Sequence, residues 1–259
     1  MTSIPFFQVD AFAERPLTGN PAAVMPLERW LDDALMQRIA AENNLAETAF
    51  TVPSDREDAD YDLRWFTPTV EVNLCGHATL ASAHVLIHAE PVRFATRSGI
   101  LSVTRRGDLL DLEMPAAPPK AAELPQLLRA LGISGETFLS GTGNSNVLVL
   151  VENEQAVRAV RPDFAALAQL PYLVSVTAPG DEYDIASRVF AAYYGVPEDP
   201  VTGSAHTCLV PFWAERLRRT EFTALQASER SGVLHCRLEG ERVILGGHCQ
   251  TVIVGQFQL

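Results

Sequence analysis

The sequence has few cysteines, and none of them has metal-binding spacing. Its 259 residues include only Cys75, Cys208, Cys236 and Cys249, and no CxxC pair occurs. Small secreted domains depend on dense disulfides, and structural zinc sites usually show paired cysteines. The composition therefore excludes a disulfide-rich scaffold, and we expect a reduced, cytoplasmic location.

Long apolar runs and an excess of positive charge are also absent. No stretch approaches the ~20 apolar residues of a membrane-spanning helix, and the opening MTSIPFFQVDAF lacks the basic start and apolar core of a signal peptide. The 20 Lys and Arg residues are outnumbered by 32 Asp and Glu, which gives a net charge of −12. Because such a surface repels nucleic acid and anionic membranes, we expect neither as a partner. A small anionic substrate needs only a locally positive pocket.

What the sequence does contain is a set of four motifs that occur twice in the same order. They are TGN (18–20 and 142–144), RWF and RVF (64–66 and 188–190), CGHA and TGSA (75–78 and 202–205), and a segment that starts at Ser98 and again at Ser231. The paired positions differ by 124 to 133 residues. A period this long indicates a duplicated domain, because stacked repeats have periods of ~20–50 residues. The proline- and alanine-rich segment 113–125 predicts an N-terminal half of 1–116 and a C-terminal half of 117–248.

Each half combines strands with one apolar helix. Residues 98–114 and 231–247 alternate apolar and polar side chains around a glycine, which predicts β-hairpins. The runs GHATLASAHVLIH and GSAHTCLVPFWAERL are apolar on nearly all sides, a pattern typical of a buried helix. We therefore predict an α+β fold of two pseudo-symmetric domains, each a β-barrel-like sheet wrapped around a central buried helix.

Both buried helices are predicted to begin at a glycine, Gly76 in one half and Gly203 in the other. The first amides of a helix have no partner within the helix and carry the positive end of its dipole, so they attract carboxylates and phosphates. His77 and Ser204 follow at matched positions and could add side-chain donors. The pair predicts a site for one small anion in a cleft between the halves. The alternative is that both are ordinary helix starts, capped by Ser204 and Thr79.

Cys75 and His77 raise two further hypotheses, a metal site and a thiol nucleophile. The two residues are two apart, and no second pair with ligand spacing accompanies them. We therefore predict no metal. A two-base epimerase needs a second acid–base group, and the position that matches Cys75 is Thr202, whose hydroxyl is too weak a base. The sequence thus favours a structural role for Cys75.

Glu47 is the leading candidate for an acid–base group. It follows a predicted helix and opens the strand TAFTV, among Leu45, Ala46, Ala49 and Phe50. Apolar surroundings would raise the pKa of its carboxyl, which suits a group that both takes and gives a proton. A surface or helix-capping glutamate is the alternative.

Three other carboxyls can be compared with Glu47. Glu42 and Glu71 are weaker candidates, because one lies on a predicted helix and the other beside a turn. In the second half, position 47 + 124 is Pro171, so only one half carries the acid. Asp199, between Glu198 and Pro200, is either a site residue or a turn residue.

The segments VDAFAERPLTGNPAAV, NNLAETAF, FTPTVEVNLCGHATLASAHVL and GVPEDPVTGSAHTCL together resemble the phenazine-biosynthesis (PhzF-like) isomerase family, over essentially the whole chain. The resemblance implies a diaminopimelate-epimerase-like fold, in which the last strand, around 249–259, returns to the first domain. It also implies a homodimer and an isomerase that uses neither a metal nor an organic cofactor. In the type member, one glutamate moves a proton within trans-2,3-dihydro-3-hydroxyanthranilate.

The family's motifs assign roles to positions of this sequence. The proton-shuttling glutamate corresponds to Glu47, and the histidine and aspartate that assist it correspond to His77 and Asp199. Four more positions match residues that line the site or bind the substrate carboxylate: Asn20, Gly76, Gly203 and Ser204. Many relatives carry serine where this sequence has Ala46, so one hydroxyl near the acid is missing here.

The sequence thus predicts a cofactor-independent isomerase of a small carboxylate, with Glu47 as the acid–base group. Two alternatives stay open. One is a cysteine-dependent racemase or epimerase that uses Cys75. The other is a non-catalytic member of the fold that binds a small molecule or a protein.

Overall fold

The computed structural model describes residues 3–88, 90–140 and 146–259. The chain forms two compact units, one of residues 1–113 with 245–259 and one of residues 114–244. Within the described ranges, no helix has both the length and the apolar character needed to cross a membrane.

In the described residues of the first unit, there are nine strands and two helices. The strands are β1 (Ser3–Ala11), β2 (Asn20–Pro26), β3 (Glu47–Pro53), β4 (Tyr61–Phe66), β5 (Glu71–Val72), β6 (Val92–Thr96), β7 (Gly99–Arg106), β8 (Leu109–Pro115) and β18 (Cys249–Gln258). The helices are α1 (Asp33–Asn43) and α2 (Gly76–Leu86). The C-terminal strand β18 pairs antiparallel with β1, so the end of the chain belongs to this unit.

Local sequence explains the two helices of the first unit. The Asp32 side chain accepts a hydrogen bond from the Ala34 amide and starts α1, and Asn44, in the left-handed conformation, ends it. In α2, nine residues from Gly76 to Leu86 are buried, among them the polar Thr79 and Ser82. These two hydroxyls donate to main-chain carbonyls one turn earlier, so neither is left unpaired inside the unit. The prediction of a buried helix here is confirmed.

The second unit contains the remaining elements. Its strands are β9 (Lys120–Ala121), β10 (Glu136–Leu139), β11 (Asn146–Leu150), β12 (Leu173–Pro179), β13 (Ile185–Ala191), β14 (Val196–Asp199), β15 (Glu221–Gln226), β16 (Gly232–Glu239) and β17 (Arg242–Gly247), the last of which runs past residue 244. Its helices are α3 (Pro125–Leu131), α4 (Glu154–Ala159), α5 (Phe164–Leu167) and α6 (Gly203–Leu217), with a 3₁₀ turn at Ala192–Tyr194.

The two units repeat one order of strand pairings. In the first, β1 is antiparallel to β2, β2 parallel to β3, β3 antiparallel to β4, and β4 parallel to β6, which is antiparallel to β7. In the second, β10, β11, β12, β13, β15 and β16 pair in the same sequence of directions. The predicted α+β fold of two pseudo-symmetric domains is therefore confirmed. The second copy of TGN, residues 142–144, lies outside the described residues.

Helix α6 is buried like α2, although it contains a proline. Pro211 has no N–H to donate to the carbonyl of Thr207, one turn earlier. That carbonyl accepts a hydrogen bond of 2.9 Å from the Ala117 amide instead. The helix thus continues through the proline, and its N-terminal turn, which begins at Gly203, is held in the interior of the unit.

Candidate active site

Parallel pairing of β2 and β3 brings two predicted site residues together. Asn20 is the first residue of β2, Glu47 is the first of β3, and Ala22 lies opposite Glu47 in the register. Strands that run parallel begin at the same edge of a sheet, so both side chains belong to one edge.

The register also corrects the comparison with the second unit, where Asn146 pairs with Leu173 as Ala22 pairs with Glu47. The counterpart of Glu47 is therefore Leu173 and not Pro171.

His77 lies between these two side chains. Its Nε2 is 3.0 Å from Glu47 Oε2, and its Nδ1 is 3.2 Å from Asn20 Nδ2. Asn20 and His77 are buried, whereas 17% of the Glu47 side chain is exposed. The structure thus connects the three residues in one buried chain, Asn20–His77–Glu47, that ends at a carboxyl within reach of solvent.

The surroundings of Glu47 differ from those that its sequence neighbours indicate. Ala49 and Phe50 are buried in the sheet, but the carboxyl itself faces an imidazole. Among the described residues, neither Glu47 Oε2 nor His77 Nε2 has a hydrogen-bond partner, and the 3.0 Å ion-pair contact brings the two atoms together. The prediction that the Glu47 carboxyl lies in apolar company is therefore wrong, because its carboxyl contacts His77.

The electrostatics of His77 follow from this arrangement. Burial alone would lower the pKa of the imidazole, but Cys75 and Glu47 beside the ring raise the pKa of His77 well above its usual range. Burial, with the Glu47 charge adding to it, raises the pKa of the Cys75 thiol to about 11, so this thiol is neutral at pH 7. Because the thiol is neutral, the carboxylate of Glu47 is the charge that raises the pKa of His77.

We expect Glu47→Gln to lower the pKa of His77, because the variant loses the carboxylate charge and keeps the burial. An NMR titration of the imidazole resonances would measure this change. By linkage, the charged pair stabilises the folded wild type fully below the unfolded pKa of ~6.5, and this contribution is lost as the pH rises through the raised folded pKa. A variant whose His77 titrates as in the wild type would show that Glu47 is not the responsible charge.

Cys75 completes the cluster without forming an open metal site. Its sulfur lies 3.5 Å from His77 Nδ1, and Glu47, Cys75 and His77 each offer a ligand atom within 4.8 Å of the others. However, Cys75 is next to one ring nitrogen and Glu47 next to the other. Because the two nitrogens of an imidazole point in different directions, an ion held by either nitrogen would face only one of these partners. The absence of a metal stays a prediction.

The second unit carries the other predicted residues. Asp199 ends β14, Gly203 opens α6, and Ser204, which is half-buried, follows it. The hydroxyl of Thr202 donates to Asp199 Oδ2 over 2.5 Å. The structure therefore places Asp199, Gly203 and Ser204 within one short segment.

Neither glycine loop is capped by a side chain. The N-cap residues, Cys75 for α2 and Thr202 for α6, make no side-chain hydrogen bond to the helix amides. Thr79 donates instead to the Cys75 carbonyl. The capping predicted for Ser204 and Thr79 is therefore wrong, whereas the anion site at Gly76 and Gly203 stays a prediction.

Sequence reasoning missed a pair of matched arginines. Arg64 binds both oxygens of Glu71 at 2.8 and 2.9 Å, and its guanidinium lies 5.2 Å from the centre of the Phe66 ring. In the second unit, Arg188 binds both oxygens of Glu198 at 2.7 and 2.8 Å, 5.0 Å from the centre of the Phe190 ring.

These arginines fix the short strands that lead to the glycine loops. Glu71 belongs to β5, five residues before Gly76, and Glu198 belongs to β14, five residues before Gly203. Bidentate pairs of this kind are rigid, so each holds its strand against the neighbouring one. The repeated RWF and RVF motifs could have indicated these matched arginines, because each motif begins with one of them. Glu71 is thus a structural partner of Arg64, and Glu42 is exposed on α1, so neither is part of the candidate site.

Fold and site together define an α+β protein of the diaminopimelate-epimerase-like class. A solved hydroxyproline epimerase from Agrobacterium vitis shares the fold, with a TM-score of 0.64 and 12% identity over 98% of this chain and 92% of that one. The sequence matches the PhzC-PhzF family, phenazine biosynthesis-like protein, over residues 9–255. The chain belongs to this family.

Close relatives cover the whole chain. An uncharacterized isomerase from Pseudomonas aeruginosa is 52% identical over 99% of both chains. The crystal structure of a PhzF-family phenazine biosynthesis protein from Enterococcus faecalis has a TM-score of 0.92 and 43% identity, with 100% of both chains covered. Family membership and the naming of relatives support isomerase activity in general.

Proposed function

We propose that the chain is a cofactor-independent isomerase of a small carboxylate, in which Glu47 moves a proton within the substrate. The observation that supports this most is the buried chain Asn20–His77–Glu47. The contact of His77 Nε2 with Glu47 Oε2 orients the carboxylate, and the hydrogen bond from Asn20 Nδ2 to His77 Nδ1 orients the ring. The exposed part of the Glu47 side chain is where a substrate C–H would meet the base.

The proton balance of the proposed reaction is simple. The Glu47 carboxylate removes a proton from one carbon and becomes a carboxylic acid, while the electron pair of the C–H bond delocalises toward the substrate's unsaturated or carboxylate group. The same proton returns to another carbon, and Glu47 is a carboxylate again. The amides at the Gly76 and Gly203 loops, with Ser204, are proposed to bind the substrate carboxylate, and Asp199 to assist proton movement.

Solvent-isotope labelling tests this function. Small unsaturated or hydroxylated carboxylates, trans-2,3-dihydro-3-hydroxyanthranilate among them, would first be screened for thermal stabilisation of the protein, because a ligand of the folded state raises apparent stability. Those that bind would be incubated with the protein in D₂O. We expect at least one to isomerise or to gain deuterium by mass spectrometry. Binding with neither product nor label would favour the non-catalytic alternative.

The cysteine-dependent racemase has less support. A thiol whose pKa is raised to about 11 is a poor source of thiolate at pH 7, and the matched position holds Thr202. The resemblance also extends the proposal to a homodimer in the cytoplasm with a biosynthetic role.

A further inference from the structure

Gln226 is a buried side chain at the end of β15 that binds the segment between Asp199 and Gly203. Its Oε1 accepts a hydrogen bond of 2.9 Å from the Thr202 amide. Its Nε2 donates to the Asp199 carbonyl at 2.7 Å and to Thr202 Oγ1 at 3.1 Å. The side chain has no solvent exposure, so these contacts are not in competition with water.

The main chain fixes which way round the Gln226 amide lies. In the opposite orientation, the NH₂ group would face the Thr202 N–H, and the oxygen would face the Asp199 carbonyl. Both contacts would bring like groups together, donor against donor and acceptor against acceptor. The NH₂ group therefore points to Asp199 O and to the Thr202 hydroxyl.

This orientation decides the direction of the next hydrogen bond. The Thr202 hydroxyl accepts from Gln226, and it has a single hydrogen to donate. Asp199 Oδ2 lies 2.5 Å from it, so the hydrogen points to this oxygen. Asp199 Oδ2 is thus an acceptor, and this hydrogen bond favours the ionised carboxylate over the neutral acid.

The arrangement is not a general requirement of the fold. The strand registers make Val72 the counterpart of Asp199, Cys75 that of Thr202 and Thr96 that of Gln226. Thr96 donates to the Gly99 carbonyl in the hairpin turn and has no equivalent role. The first unit forms the same strand pairings and the same helix start without these three polar groups. Asp199, Thr202 and Gln226 thus occur together in the second unit.

We propose that Gln226 and Thr202 are positioning residues that hold Asp199 as an ionised hydrogen-bond acceptor beside the first turn of α6. Gln226 sets the conformation of the segment through two main-chain groups, and Thr202 delivers the hydroxyl hydrogen to the carboxylate. The inference rests on the proposed function for the role of Asp199 in turnover. The hydrogen-bond relay from Gln226 through Thr202 to Asp199 can be measured without a substrate.

The test is the titration of the Asp199 carboxyl carbon by ¹³C NMR in protein labelled with [¹³C]aspartate, with Asp199→Asn used to assign the signal. Thr202→Val keeps the shape of the side chain and removes the hydroxyl hydrogen that Thr202 donates to Asp199. Because a hydrogen bond to the charged form of a carboxyl lowers its pKa, we expect the titration midpoint to move upward by about one to two pH units. Thr202→Ser, which keeps the hydroxyl, should titrate like the wild type.

Gln226→Leu provides a second measurement on the same relay. It removes the acceptor of the Thr202 amide, so hydrogen exchange of that amide should become at least ~10-fold faster, as followed by NMR. If Gln226→Leu fails to fold, Thr202→Val still decides the proposal. A Thr202→Val protein with a wild-type titration midpoint would overturn it. If the Asp199 midpoint shifts in Thr202→Val while the wild-type protein turns over no carboxylate, the hydrogen-bond relay is supported and the proposed function is refuted.

Discussion

Replacing Glu47 by glutamine is expected to reduce turnover by a factor of at least ~10³, because the amide cannot take up a proton. The fold should survive the change. Glutamine has nearly the same shape, and its side-chain oxygen can keep the contact with His77 Nε2. Rates of isomerisation with an identified substrate would measure the first effect. Thermal unfolding and ligand-induced stabilisation would measure the second.

Two control variants make this result specific. Glu42→Gln removes an exposed carboxyl from α1, five residues earlier in the chain, and should leave turnover unchanged. Cys75→Ser separates the proposed mechanism from the racemase, since only the racemase requires the thiol. Full activity of Glu47→Gln would refute the assignment of the acid–base group, and loss of activity in Cys75→Ser with retained Glu47 dependence would bring the thiol into the mechanism.

The duplicated motifs show which elements of the fold can be predicted from sequence patterns. The repeated RWF and RVF segments became β4 and β13, and the runs after Gly76 and Gly203 became α2 and α6. These patterns are local, since alternation and apolar faces reflect which side of an element is buried. The family motifs added roles that no periodicity contains, including that of Asn20, whose contact with His77 spans 57 positions.

Features that depend on register or on distant partners could not be predicted in this way. The counterpart of Glu47 was displaced by two residues, from Pro171 to Leu173, because the connection that precedes the strand differs in length between the halves. The apolar neighbours of Glu47 in the sequence did not describe its surroundings, since successive strand residues point to opposite faces. Gln226 lies 24 residues from Thr202, and nothing in its own neighbourhood indicates the contact.

Gly19 lies in a turn where the main chain at Ala11 comes very close to it. Gly19 precedes Asn20 and has a φ of +67°, and a Cβ at this position would lie 2.3 Å from the Ala11 carbonyl oxygen and 2.9 Å from Ala13 Cβ. The turn between β1 and β2 therefore has room only for glycine. Because Asn20 is the next residue, any displacement of this turn also moves the side chain that contacts His77.

We expect Gly19→Ala to lower the free energy of unfolding by about 3 kcal/mol or more, the sum of a left-handed backbone penalty of ~1–2 kcal/mol and the overlap with the main chain. Gly107→Ala is the matched control. Gly107 has a φ of +64°, but apart from its chain neighbours no described residue has an atom within 4 Å of a methyl carbon added there, so the backbone penalty of ~1–2 kcal/mol is the expected loss. Denaturant unfolding of both variants measures the difference. Equal losses would mean that the Ala11 contact relaxes at little cost; a larger loss in Gly19→Ala, with a changed His77 resonance, would show that the turn sets the position of Asn20.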